Sequence, residues 1–386
     1  MFWINFLHFY QPPTSDKEKV IEATENSYKR IIKSLIKNPD TKFTININGC
    51  LLEKLEELNY QSLIKDIKTL VDRNQIEITG TAFYHPILPL IPGQEIKKQI
   101  QQQEQILKKY FGDIKLKGFF LPEMAYSKDA AKLIKELGYQ WLILDEISHL
   151  GKMNNINLET RYIDKESGLV AVFRQRLVSE SYVPKKVSEL LDEDKTQTLI
   201  TATDAELYGL RHKDVSGSLE KLLKKPGLKI AAVSEFIEQL KKKEEIKIVP
   251  SSWESTEKEL RDHKPYALWY DRNNNIHRKL WRLAKVAWEV VERHADDENY
   301  QWAQLHLNRG LASCTFWWAS GRNFHSTFGS LSWNPDEIER GLNELIRAVR
   351  ALNQTTTRHT KIKAEKIYIA VKKIIWTKHW TYYWKK

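Results

Sequence analysis

Over the first 250 or so residues, short apolar runs alternate with amphipathic segments, and this alternation limits the fold more than any other feature. The runs are "FWINFL" (2–7), "KFTINI" (42–47), "IEIT" (76–79), "GFFL" (118–121), "WLIL" (141–144), "TLITAT" (198–203) and "KIVP" (247–250), with a hairpin pattern across 160–174. The segments between them read as helices. One opens at Ser15 or Asp16, stops near Pro39 and carries Val20, Ile31, Ile32 and Leu35 on one face. Others cover 51–71 and 127–137, and a third, with Ile96, Ile100, Leu107 and Phe111 at helical spacing, is closed by Gly112. Strands alternating with helices predict a parallel sheet covered by helices. Strands apolar on both faces require a closed barrel or a sheet covered twice. The 386 residues hold a barrel-sized core of about 250 plus a smaller unit.

The pattern changes after residue 253. Ile276, Leu280, Leu283, Ala287 and Val290 form one helical stripe. Asn334-Pro335-Asp336-Glu337 is a helix start: a capping Asn, Pro at the first helical position and acids near the positive end of the dipole. The expected organisation is a catalytic barrel over 1–253 and a helical domain over 254–386 that packs on it and completes a substrate cleft.

No apolar stretch approaches the roughly 20 residues of a membrane span. "MFWINFLHFYQPP" lacks the basic start and small-residue cleavage site of a secretory leader, and Cys50 and Cys314 have no metal-type spacing, so the reading is a cytoplasmic protein with reduced thiols. Much of the +11 net charge lies between Arg358 and Lys386, where nine basic residues face only Glu365, with Tyr368, Trp376, Trp380, Tyr382, Tyr383 and Trp384 interleaved. One reading is nucleic-acid binding by phosphate contact and stacking. The other is a terminal helix packed through Ile367, Val371, Ile374 and Ile375 with a solvated basic face, and it is preferred.

Four strand ends carry polar residues that a core avoids. "FWINFL" runs into His8, Tyr10 and Gln11; "IEIT" runs into a segment with His85; "GFFL" runs into Pro122-Glu123; "TLITAT" runs into Asp204-Ala205-Glu206. Singly, each has a structural reading: Asp204 as a helix cap, Glu123 as an ion-pair partner, His8 and His85 as satisfied core histidines. Jointly, they lie at the C-terminal rim of a parallel barrel, where catalytic groups collect. Two carboxylates meeting there suit glycoside hydrolysis.

At these residues the sequence resembles glycoside hydrolase family 57, which acts mainly on α-glucans. "LHFYQPP", "GTAFYHPILPLIP", "GFFLPEMAY", "TATDAELYG" and "SSWESTEKELRDHKPYALWYDRNNNIHRKLW" match five family regions in order, and "ASCTFWWASG" resembles its C-terminal part. The resemblance implies an α/β fold, an incomplete (β/α)7 barrel followed by a C-terminal helical domain. It makes Glu123 the nucleophile and Asp204 the general acid/base of a retaining mechanism, with carboxyls about 5–5.5 Å apart. It places His8 and His85 at the subsite of the reacting sugar and Phe120 as a stacking ring. Tyr10 and Leu210 stand where the family often has histidines. Glu206 is read as a ligand of a sugar hydroxyl or as a helix cap, and Trp253 and Trp318 as cleft rings or core. Trp281 and Trp288 are read as core.

No cofactor or metal is expected. The expected partner is an α-glucan or malto-oligosaccharide. Hydrolysis and 4-α-glucanotransfer use the same two carboxylates and stay open. The alternatives are a carbohydrate-binding homologue without turnover and a nucleic-acid-binding protein acting through the tail.

Overall fold

The computed structural model describes residues 1–193, 198–322, 324 and 332–384. The chain forms two compact units. The first comprises Met1–Gln11, Ser15–Phe83 and Leu88–Leu260; the second comprises Pro12–Thr14, Tyr84–Ile87 and Arg261–Lys386.

The strands of the first unit are β1 (Phe2–Phe9), β2 (Phe43–Ile47), β3 (Ile76–Ile78), β4 (Gly118–Phe120), β5 (Trp141–Asp145), β6 (Thr160–Asp164), β7 (Val170–Arg174), β8 (Thr198–Asp204), β9 (Lys229–Ala231) and β10 (Lys242–Ile246). β1 pairs in parallel with β2, β8 and β9, and β2 pairs in parallel with β3. β4, β5 and β7 form a second parallel run, to which the β6–β7 hairpin adds an antiparallel strand. Gly80 joins the two runs: its N–H donates to Gly118 O at 2.9 Å, and Phe120 N–H donates to Gly80 O at 2.8 Å. At the other junction Gln175 N–H donates to Ile200 O at 2.9 Å, outside any ladder. The ring β1-β2-β3-β4-β5-β7-β8 is the incomplete (β/α)7 barrel that the alternation and the resemblance predict.

Side-chain parity divides this unit's core in two. Ile4, Phe6, Phe120, Trp141, Ile143, Val170, Val172, Ile200 and Ala202 share one buried cluster. They come from strands on both runs, so this cluster fills the ring. Trp3, Leu7, Phe9, Phe43, Ile45, Ile47, Ile76, Ile78 and Leu199 point the other way and pack against helices through Val20, Ile31, Leu51 and Leu63.

The first helix is interrupted by a π turn at Thr24–Tyr28. The expected helix over 51–71 is two, Gly49–Glu57 and Gln61–Asp72, separated by a left-handed Asn59 (φ 64°). Gly112 (φ 81°) ends Gly93–Phe111, and the Ser127 hydroxyl caps Lys128–Glu136. The strand expected at 247–250 lies earlier, at β10, where it pairs with β6. Its charged "KKEEI" is tolerated because the strand is exposed on the sheet edge, where such residues oppose further pairing.

In the second unit the stripe Ile276, Leu280, Leu283, Ala287 and Val290 is buried on the helix Asn275–Arg293. Asn334 Oδ1 accepts from Asp336 N–H at 3.0 Å and Glu337 N–H at 3.2 Å, starting Pro335–Ala351 as predicted. Gly341 on that helix faces Thr315: a Cβ there would meet Thr315 Oγ1 at 2.1 Å. The terminal helix Arg358–Lys378 buries Ile367, Val371 and Ile375, with Ile374 half-buried, as the packed-helix reading requires. Lys385 and Lys386 lie outside the described residues. Among the described residues no helix is long and apolar enough to cross a membrane.

Candidate active site at the barrel rim

The inward parity continues past the apolar layers into a polar one. After Ile4 and Phe6 comes His8; after Trp141 and Ile143, Asp145; after Val170 and Val172, Arg174; after Ile200 and Ala202, Asp204. All four positions end parallel strands at the same rim. His8 is the register partner of Asp204 on β8 and of Asn46 on β2. His8 Nδ1 lies 2.7 Å from Asn46 Oδ1. An amide oxygen only accepts, so Nδ1 carries the proton.

Glu123 follows β4 in a tight turn. Its backbone is left-handed (φ 59°, ψ 18°), as is that of Met124 (φ 49°). This conformation costs an L-residue about 1–2 kcal/mol and persists where neighbours enforce it. Trp253 is such a neighbour: its backbone N–H donates to Glu123 O at 3.1 Å and its indole Nε1 to Glu123 Oε2 at 2.8 Å. The indole meets the rings of His8 and Phe120 at 6.2 and 6.1 Å. His8 in turn packs on Phe120 at 4.7 Å and stacks on Tyr10 at 5.5 Å. Phe120 is fully buried between Phe6, His8 and Trp253, so in this structure it supports the histidine ring.

Asp204 is paired with Arg211 at 2.9 Å. The chain returns Arg211 to it through Gly209 (φ 146°), where a Cβ would lie 2.2 Å from Asn26 O. Leu210 packs against the outer core cluster. Glu206 is buried; its carboxyl accepts from Gln11 Nε2 at 2.7 Å and from the Tyr28 hydroxyl. Burial, reinforced by the charge of Asp204 and opposed by Arg211, pushes the Glu206 carboxyl up to about 7. Gln11 and Glu206 therefore bind each other.

His85 and Trp318 belong to the second unit. His85 is buried and left-handed (φ 59°), and its carbonyl accepts from Ser313 N–H at 2.9 Å. Trp318 is half-buried and edge-on to Trp317 at 4.5 Å. Trp281 stacks on Phe316 at 4.0 Å and donates to Trp269 O, as a core residue does, and Trp288 is half-buried.

Sequence reasoning missed Asp145, Arg174 and Arg176. Asp145 is fully buried and accepts from Arg174 Nε at 2.7 Å and Arg176 Nη2 at 2.6 Å. The signal that finds Asp145 and Arg174 is the same period of two that picks out His8 and Asp204.

A seven-stranded parallel barrel whose inward face turns from apolar to acidic and basic at the C-terminal rim defines a (β/α)-barrel of the enzyme type. Residues 6–249 match the model of glycosyl hydrolase family 57, and the chain belongs to that family. It is 25% identical over 376 residues to an alpha-amylase 1 from Dictyoglomus thermophilum, covering 84% of this chain and 53% of that protein. It is 26% identical over 220 residues to a 4-alpha-glucanotransferase from Thermococcus litoralis, covering 54% of this chain and 33% of that protein. The chain thus spans about half or less of the length of these curated relatives. In fold it is similar to the crystal structure of the Thermococcus litoralis 4-alpha-glucanotransferase (TM-score 0.71, 18% identity, 92% of this chain and 60% of that one). It is also similar to a branching enzyme from Thermococcus kodakaraensis solved with glucose (TM-score 0.69, 16% identity, 96% and 95%).

Proposed function

We propose that this chain is a retaining enzyme of α-1,4-glucans, amylase-like or 4-α-glucanotransferase-like, with Glu123 as nucleophile and Asp204 as general acid/base. The observation that carries the reading is the continuous rim from Asp204 through its register partner His8 to Trp253 and Glu123. The relatives named alpha-amylase and 4-alpha-glucanotransferase support the substrate class.

In the first step the Glu123 carboxylate attacks the anomeric carbon. The glycosidic C–O bond breaks, and Asp204 gives its proton to the leaving oxygen. In the second, ionised Asp204 takes a proton from water or a sugar hydroxyl. That oxygen attacks the anomeric carbon and releases Glu123. The direct displacement asks for carboxyls about 5–5.5 Å apart. His8, buried, held in one tautomer by Asn46 and stacked on Tyr10, lines the floor of the reacting sugar's subsite; Trp253 orients the nucleophile. Gln11 and Glu206 lie behind Asp204.

Incubation with maltoheptaose and with soluble starch tests the reading. Glucose and short oligomers mark hydrolysis; oligomers longer than the substrate mark transfer. No product of either kind, from folded protein, sinks it.

A further inference from the structure

We infer that Arg174 is a positioning residue for Glu123, acting through the indole of Trp253. The inference rests on the assignment of Glu123 as nucleophile.

The guanidinium is buried and spends its donors on three different segments. Nε donates to Asp145 Oδ2 at 2.7 Å, Nη1 to Ala202 O at 2.9 Å and Nη2 to Trp253 O at 3.3 Å. Its Cζ lies 5.1 Å from the centroid of the Trp253 ring. The backbone bond fixes residue 253, and the ring contact fixes the plane of the indole. Trp253 then holds Glu123 twice, through its backbone N–H and its Nε1–H. Glu123 needs this support because its left-handed backbone does not hold itself.

The charge acts in the same direction. Asp145 balances two guanidiniums, those of Arg174 and Arg176. Glu180, 3.7 Å from Arg174, offsets the excess from a half-exposed position where water screens it, and Glu254 faces Arg176. A cation over an indole is attracted by the ring's negative face and makes the ring N–H a better donor. A carboxylate that accepts such a donor, with a cation one ring away, is favoured in its charged form. Glu123 must begin each turnover charged.

Arg174 also acts on the other carboxylate's strand. Ala202 stands two residues before Asp204 on β8, and the bond from Nη1 crosses the β7–β8 junction, where the ladder is missing. One side chain thus ties the strand of Asp204 to the segment that holds Glu123.

The test is the pH profile of kcat/KM on a malto-oligosaccharide, whose acid limb reports the ionisation of the nucleophile in the free enzyme. Trp253→Phe keeps the ring and deletes the donor. It should lower kcat/KM by roughly 10–100-fold and move the acid limb up by about one pH unit. Arg174→Gln should move the limb in the same direction, and in the Trp253→Phe background it should add little, because the effect travels through the indole. Arg174→Lys keeps the charge without the fork and should fall between. If Arg174→Gln does not fold, Trp253→Phe and Arg174→Lys still decide the matter. An acid limb that stays in place while only KM or thermal stability changes overturns the proposal, as do shifts that simply add in the double variant. Glu123→Gln separates the two levels: normal turnover there removes the nucleophile assignment, whatever Trp253→Phe does.

Discussion

Glu206 in the barrel and His277 in the helical unit are both buried, and both titrate far from their ordinary values, in opposite directions. Glu206 accepts from Gln11 and Tyr28 and faces Asp204; burial and that neighbouring charge push it up to about 7. His277 accepts from Asp271 N–H at 3.1 Å through Nδ1 and donates from Nε2 to Phe316 O at 2.9 Å. Burial pushes it down to about 4, against the bond to Phe316. The difference lies in what each group faces. Backbone groups saturate both nitrogens of His277, so its neutral form is a piece of architecture. Glu206 is set against a second carboxyl, the arrangement by which catalytic sites separate an acid from a base. A displaced pKa marks a candidate site only when the partner is itself reactive.

The comparison fails most visibly if chemistry is not housed at the rim. Glu123→Gln keeps size and the bond to Trp253 but cannot form the ester, so kcat/KM should fall by at least about 10³-fold. Thermal stability should stay near wild type. Turnover within about tenfold of wild type would remove the rim from the mechanism.

Next in size are the pH dependences, which carry opposite signs. Between about 4.5 and 7 the folded state keeps the Glu206 proton that the unfolded chain releases, so stability falls as pH rises through that window and is level above it. Between about 4 and 6.5 the unfolded chain holds the His277 proton and the folded state does not, so stability rises with pH and is complete above 6.5. Each displacement is worth on the order of 3 kcal/mol. The two slopes oppose each other where the windows overlap. Urea unfolding of Glu206→Gln should expose a stability that climbs with pH from 4 to 6.5. Unfolding of His277→Gln should expose one that declines from 4.5 to 7. A flat profile in either variant contradicts the corresponding assignment.

The smallest expected effect sharpens the structural side. Gly341→Ala places a methyl 2.1 Å from Thr315 Oγ1 and should destabilise the helical unit by about 1–3 kcal/mol. Gly341→Ala with Thr315→Ser, which removes the Thr315 methyl but not the hydroxyl, should recover only part of that loss. Full recovery would mean that the methyl, not the hydroxyl, sets the close approach.

Local chemistry was legible where the controlling residues are neighbours in sequence. The apolar runs located β1, β2, β3, β4, β5 and β8 because a strand buried on both faces needs apolar residues throughout. Asn334 and Gly112 marked helix ends because a cap acts within four residues. Polar residues following apolar runs placed His8 and Asp204 at strand ends; Asp145 and Arg174 end strands in the same way and went unread because neither sits in a motif. β10 escaped because its pairing with β6, not its charged composition, makes it a strand.

By itself, then, the sequence determined where most of the barrel strands lie and which face their side chains take, since those follow from backbone periodicity. The tertiary structure alone decided what those groups face. Trp253 reaches Glu123 across 130 residues, and Gln11 reaches Glu206 across 195. Arg174 bonds a carbonyl across the β7–β8 junction, and burial, reinforced by the charge of Asp204, pushes the Glu206 carboxyl up. Hydrogen bonds and charge act through space over a few ångströms, so their partners are set by how the ring closes and not by the order of residues along the chain.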